Sequence, residues 1–357
     1  VTRASTIVLL AACHGGEPVQ AIDAAPPDSS ALCFNGQPGD LLGSGCISVN
    51  GPRVIGDLAI DTSEGSPLCE VDVHAPYCLI SGTTITITGT LAASGPRPLL
   101  LVAYDTIDVE GAIDVSSRRA PNEVIGASCD DARCTPASGA ADGAGGAGGA
   151  GGSFQFFGGA GGAVGSASGA APTPGPTTAD LHGGCRGAVG GAYGPTGGGL
   201  YGHSGGAVYL MAQTAIVLGA TGRILANGQG GGRGSGGSGG GGGGSGGTIA
   251  LDAPSLQLAS GALVLAEGGG GGGGGDLASG AQDGADAATS SAATGGAATM
   301  PAGTGGAGSL ASVGQAGQDG PLAPTTSTGG GGGGGGASGY VLLYGQVIGS
   351  CTISPPP

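Results

Sequence analysis

Thr84-Ile-Thr-Ile-Thr-Gly-Thr-Leu-Ala-Ala-Ser94 and Thr106-Ile-Asp-Val-Glu-Gly-Ala-Ile-Asp-Val-Ser116 are the stretches on which the fold turns. Ile85, Ile87, Gly89, Leu91 and Ala93 recur as Ile107, Val109, Gly111, Ile113 and Val115, each 22 residues on. In both copies apolar residues alternate with Thr or Asp, the period-2 pattern of a half-buried strand, and the glycine marks a bend between two short strands. The same grammar returns in Val208-Tyr-Leu-Met211 with Ile216-Val-Leu218, Gly222 and Ile224-Leu225. It returns again in Ile249-Ala-Leu251 with Leu256-Gln-Leu258, Gly261 and Leu263-Val-Leu265, and closes with a partial copy over 340–348. A spacing of about 22 residues between short strands suits chain turns that stack and bury an aliphatic ladder. The expectation is an all-β fold, a parallel β-solenoid (β-helix) over 84–354. A sandwich of unrelated hairpins is the competing reading, but no Asn-Gly or Asp-Gly turns separate these strands.

Glycine dominates what lies between the copies. The chain has 89 glycines in 357 residues, and 239–244, 268–275 and 329–336 are pure glycine. Inserts 117–204, 228–246 and 268–339 each leave after the last strand of one copy and return before the first strand of the next. Gly145-Gly-Ala-Gly-Gly-Ala-Gly-Gly152 has a three-residue rhythm, the period of a polyproline-II-like helix. Such helices leave their amides unpaired internally and can bond to one another when no side chains intervene. Flexible linkers are the alternative, since glycine loses the most entropy on ordering. The inserts are therefore expected to be partly polyproline-II-like and partly disordered, with disorder assigned to the Ala/Ser/Asp-rich 277–328.

The net charge is −15, only 9% of residues are charged and there is no lysine. That balance repels phosphate backbones and argues against nucleic acid as a partner. At the other end of the chain, Arg3 precedes an apolar stretch ending in Leu10-Ala-Ala-Cys13. It reads as a lipoprotein signal over 1–12, with Cys13 the lipidated residue, a flexible tether over 13–31 and a membrane partner reached through that anchor. Residues 32–83 read as a cysteine-containing N-terminal cap of short strands. Setting Cys13 aside leaves Cys33, Cys46, Cys69, Cys78, Cys129, Cys134, Cys185 and Cys351, an even number that suits disulfides in an oxidising compartment. Nearest-neighbour pairing gives 33–46, 69–78, 129–134 and 185–351, one of 105 connectivities. The cysteine spacings, with His74 and His182 isolated, do not form a zinc motif, so neither metal nor cofactor is expected.

The Leu10–Cys13 lipobox, the coil Pro98–Ala103 through Ile113–Arg119, Gly205-Gly-Ala-Val-Tyr-Leu210 and the glycine runs resemble bacterial PGRS-type glycine-rich surface lipoproteins over residues 80–350. The resemblance implies an exported protein of the bacterial cell envelope, placed at the outer membrane or cell surface. Its expected role is non-enzymatic, structural or adhesive, with surface glycans or other cell-surface proteins as partners. The alternatives are a carbohydrate-active β-helix enzyme and a passive coat or spacer component. No catalytic residues are assigned. Gly202-His-Ser-Gly-Gly206 fits a G-x-S-x-G nucleophile elbow, but it lies in a glycine stretch with no histidine downstream. Asp108, Glu110 and Asp114 are expected to point outward, with Arg118 and Arg119 as surface partners of Asp114. Asp283, Asp286 and Asp319 are expected only to aid solubility.

Overall fold

The computed structural model describes residues 31–35, 44–49, 51–70, 76–119, 122–177, 180–277, 281–288, 290–310, 312–320 and 328–357. The expected signal 1–12, the lipidation residue Cys13 and the tether 13–31, apart from Ala31, lie outside the described residues. There is no helix among the described residues, and so none long and apolar enough to cross a membrane. In chain order the strands are β1 Ala31–Asn35, β2 Ser44–Ser48, β3 Arg53–Ile55, β4 Leu58–Asp61, β5 Cys78–Gly82, β6 Ile85–Ile87, β7 Thr90–Ser94, β8 Leu99–Ala103 and β9 Thr106–Val109. They continue with β10 Ala112–Asp114, β11 Ala207–Ala212, β12 Ala215–Leu218, β13 Arg223–Leu225, β14 Thr248–Leu258, β15 Leu263–Leu265, β16 Tyr340–Gly349 and β17 Thr352–Ser354.

β1 and β2 form an antiparallel pair, and every other strand pairing is parallel. One sheet has six strands in the order β17-β15-β13-β10-β7-β4. The other has nine, following the path β3-β6-β9-β12-β14-β11-β8-β5, with β16 added against β14. The eleven-residue β14 is the pivot of that path, because its first half pairs with β11 and its second half with β12. The path therefore doubles back, bringing β11 against β12 and β9.

This architecture corrects the expected β-solenoid. Ile85 is the register partner of Ile107 and Ile87 of Val109, as the sequence repeat requires. Yet along the ladder Arg53, Ile85, Ile107, Ile216, Leu256 and Val347, only the step from Ile85 to Ile107 spans 22 residues. The chain does not wind at a constant period, and parallel stacking already begins at β3 inside the expected cap. What results is a pair of stacked parallel sheets, the larger an eight-strand, barrel-like path that nearly closes on itself.

The core explains the strand sequences. Ile85, Leu91, Leu101, Ile107, Ile113, Leu210, Ile216, Ile224, Ile249 and Val264 have no solvent exposure and form one cluster between the sheets. Each such side chain is worth about 1.5–3 kcal/mol in area removed from water. β8 reads as an unbroken apolar run because both its faces are covered. Leu99 and Leu101 face the main cluster, whereas Leu100 and Val102 join Tyr209, Met211, Ala250, Ile47, Val49 and Leu181 in a second one.

The inserts are the larger correction, since their described parts form an ordered layer. The segment 239–247 shows how it is built. Its amides at 239, 242 and 245 donate to Gly191, Ala188 and Cys185, those at 240, 243 and 246 to Gly331, Gly334 and Ala337, and those at 241, 244 and 247 to Gly232, Gln229 and Ala226. Its carbonyls accept in the same rhythm from Gly199, Gly202 and Gly205, from Gly149 and Gly152, and from Gly272 and Gly269. Every third residue meets the same neighbour, so the segment has three residues per turn and is bonded to six neighbouring segments, with no backbone-to-backbone bond inside itself. The pure glycine runs are buried throughout. A Cβ on Gly242 would stand 1.9 Å from the Ala150 carbonyl oxygen, and that close approach is why the interior positions carry no side chain.

Much of the Ala/Ser/Asp-rich insert joins this layer instead of being disordered. Gly284 donates to Gly231, Gly305 to Gly296 and Gly317 to Ala160. The aspartates expected only to aid solubility hold backbone amides: Asp286 accepts from Arg119 and Gly230, Asp283 from Arg233, and Asp319 from Ala163.

Disulfides join Cys69 to Cys78 and Cys134 to Cys185. Cys46 is disulfide-bonded, and the strand register places Cys33 opposite it. The pairings 129–134 and 185–351 are corrected, and Cys129 and Cys351 are free thiols. Their places in the stack keep these two apart. Cys129 lies in a turn bonded to Gly95 beside β7 and β8, whereas Cys351 precedes the edge strand β17. From β10 to β17 alone the sheet advances by three strand spacings, about 14 Å, and a disulfide needs Cα atoms within about 7 Å.

Candidate functional site

The first insert leaves β10, makes a tight turn at 128–131 and later returns past 180–184 and 201–205 to β11. The turn rests on the sheets through Ser128 N–H to Gly95 O, and on the insert through Gly183 N–H to Ser128 O and Asp131 N–H to Gly184 O. Ser128 (φ 60°) and Asp130 (φ 56°) both lie in the left-handed region, the only non-glycine residues among those described to do so. Such conformations cost about 1–3 kcal/mol each and cluster at functional positions. Pro96, Ser128, Cys129, Asp130, Asp131, Arg133, Asp180 and His182 line an open cleft of about 480 Å³ here.

Two carboxylate–histidine pairs sit side by side. In the first pair, Asp131 Oδ2 lies 2.9 Å from His182 Nδ1 and 2.5 Å from Arg133, which also reaches Asp180 at 3.0 Å. His182 Nδ1 is 2.7 Å from Gly183 O as well; with acceptors on both sides it must carry the proton. Burial acts to raise the Asp131 pKa, but hydrogen bonds from Arg133 and the His182 and Arg133 charges outweigh it and hold the carboxyl below its ordinary value.

In the second pair, His203 Nδ1 is 2.5 Å from Asp130 Oδ2, while Asp130 Oδ1 accepts from Ser204 N at 3.0 Å. The Ser204 hydroxyl, buried, accepts from Asp130 N at 2.8 Å. Ser204 therefore anchors the turn and is not presented as a nucleophile. His203 is held through its backbone, which accepts from Gln229 N and donates to Gln229 Oε1, and its ring meets Tyr201 edge-on at 5.1 Å. With Nδ1–H committed to Asp130, Nε2 carries the lone pair. Beside this pair lies the free Cys129, and one ligand atom from each of Cys129, Asp130 and His203 falls within 4.8 Å of the other two. Burial, reinforced by the Asp130 charge, pushes the Cys129 thiol far above its ordinary value, so the resting thiol is no nucleophile.

Sequence spacing did not reveal this grouping, because Asp130 and His203 are 73 residues apart and Cys129 is expected in a disulfide. The faint signals are a Cys-Asp-Asp run and a histidine in a glycine stretch. The acids singled out in the sequence are not brought together. Asp114, expected to point outward, is buried, pairs with Arg118 at 2.8 Å and accepts from Ser116 N at 2.9 Å. Arg119 does not pair with Asp114; it donates to the Tyr201 and Gly230 carbonyls. Asp108 is half-buried, its pKa raised by burial and then by the Glu110 and Asp105 charges. Comparison with protein-family models, with curated protein sequences and with solved structures found no match to this chain.

Proposed function

We propose that the chain is an exported, lipid-anchored, non-enzymatic protein of the bacterial cell envelope, whose body is a stiff slab that supports or contacts a neighbouring surface. The observation that carries this reading is the glycine layer, in which a segment such as 239–247 bonds to six neighbours through its backbone alone. A solid built from main-chain hydrogen bonds spends few side chains on chemistry and resists shear along every bonded direction. The Cys69–Cys78 and Cys134–Cys185 disulfides favour an oxidising compartment. A net charge of −15 suits a solvated surface component. Adhesion to glycans or surface proteins is the active form of this role, and a coat or spacer its passive form.

Two measurements test the reading. Native-state hydrogen exchange should find the amides of 239–247 and 330–336 among the slowest in the molecule. Fractionation with mass spectrometry should find an acylated Cys13 on an envelope-bound chain that external protease can reach. Fast exchange across the layer, or an unmodified chain in the cytosol, would refute it.

A further inference from the structure

We propose that Cys129, Asp130 and His203 bind one divalent cation of the zinc class, which clamps the turn 128–130 to the returning segment 201–205 of the same insert. The inference goes beyond the envelope role and stands or falls without it.

Three observations converge on it. The first is the donor set, a thiol, a carboxylate and an imidazole, which is a borderline-soft combination suited to zinc. Its ligand atoms already lie within 4.8 Å of one another. Ligand bonds of about 2.0–2.3 Å at tetrahedral angles put ligand atoms about 3.3–3.7 Å apart. Side-chain rotations of about an ångström therefore complete the set, opening the 2.5 Å Asp130–His203 contact and closing the longer separations, with no rearrangement of the backbone.

The second is the backbone that presents it. Left-handed conformations at Ser128 and Asp130 flank Cys129, and the turn they make aims two consecutive side chains at His203. Strain of this kind persists because the surroundings hold it, here through Gly95, Gly183, Gly184 and Ser204. The third is chemical isolation. Cys134, five residues on, is disulfide-bonded to Cys185 and no longer competes for Cys129. Asp131, next in the chain, is occupied by Arg133 and His182. The cleft gives solvent a route to Cys129 and Asp130, leaving a fourth coordination position for water. On binding, the His203 ring proton moves through solvent from Nδ1 to Nε2, the thiol proton passes to solvent, and the Nδ1 and sulfur lone pairs enter the metal bonds.

The test uses the full chain with its disulfides intact, stripped with EDTA and titrated with Co²⁺ and then Zn²⁺. We expect one equivalent of Co²⁺ to produce a thiolate-to-cobalt charge-transfer band that Zn²⁺ abolishes. The band should persist in Cys351→Ser, vanish in Cys129→Ser, and require more than about 100-fold more metal in His203→Ala, since loss of a ligand should exceed the 10–100-fold effect of losing an outer-shell partner. Weak metal association with the acidic surface gives no such band. A wild-type chain without the band, a band that survives Cys129→Ser, or an unchanged affinity in His203→Ala would each overturn the proposal. Should Cys129→Ser fail to fold, alkylation of the wild type decides. Zn²⁺ should protect Cys129 and not Cys351 in peptide maps, and equal labelling of both with and without metal would refute the site.

Discussion

Glu267 offers the sharpest quantitative check on the junction between the sheets and the glycine layer. It follows β15, its side chain has no solvent exposure, and neither carboxylate oxygen has a hydrogen-bond partner among the described residues. Burial pushes its pKa from 4.5 to about 7, with only the nearby Ser354 hydroxyl opposing. A raised acid pKa means the folded state holds the proton more tightly than the unfolded chain. The associated stability is therefore fully present below about pH 4.5 and is lost as pH rises through about 7. A shift of that size corresponds to roughly 3 kcal/mol at about 1.4 kcal/mol per unit. Glu267→Gln keeps the shape and cannot ionise, so its stability should lack this pH dependence. Urea unfolding of the disulfide-intact chain at about pH 4.5, 6 and 8 reads the effect. The difference in unfolding free energy, variant minus wild type, should grow by about 3 kcal/mol across that range in favour of the variant. A difference that stays constant with pH would refute both the buried position of the carboxyl and the argument drawn from it.

Other perturbations probe the remaining parts of the fold. Gly242→Ala places a methyl group 1.9 Å from a backbone oxygen and should destabilise by about 3 kcal/mol or more. Gly143→Ala, where nothing lies within 4 Å, should be neutral or gain up to about 1 kcal/mol in the same thermal-melt comparison. Ile107→Ala removes a fully buried rung between Ile85 and Ile216 and should cost about 2–5 kcal/mol by urea unfolding. Replacing both cysteines of the Cys134–Cys185 bridge, which spans 51 residues, should cost about 4 kcal/mol by loop entropy. The Cys69–Cys78 bridge, spanning 9, should cost about 3 kcal/mol, and a reversed order in calorimetry would contradict the chain-entropy account.

The local features were legible because they are local. Alternation in Ile85-Thr-Ile87 and Ile107-Asp-Val109 marks strands with one buried face, and a shared offset marks which strands pair. Three-residue rhythm in Gly145–Gly152 marks an extended helix whose amides need outside partners. The even cysteine count after Cys13 suited disulfides, yet two of those thiols are free, because pairing depends on which sheet level each cysteine reaches. Asp114 and Asp286 show the same limit, since burial and hydrogen-bond partners come from residues far along the chain.

The sequence by itself determined that this chain would be all-β with parallel pairing of short aliphatic strands, and that its glycine segments would need neighbours. Both follow from periodicity, which a chain carries along its own length. Only the tertiary structure decided how the strands divide between two sheets, that β14 bends the larger one back on itself, and that the inserts pack as a buried layer. It also decided that Cys129 and Asp130 would meet His203. These are outcomes of loop closure and close backbone approach between distant segments, where many pairings satisfy the same local pattern and packing selects one.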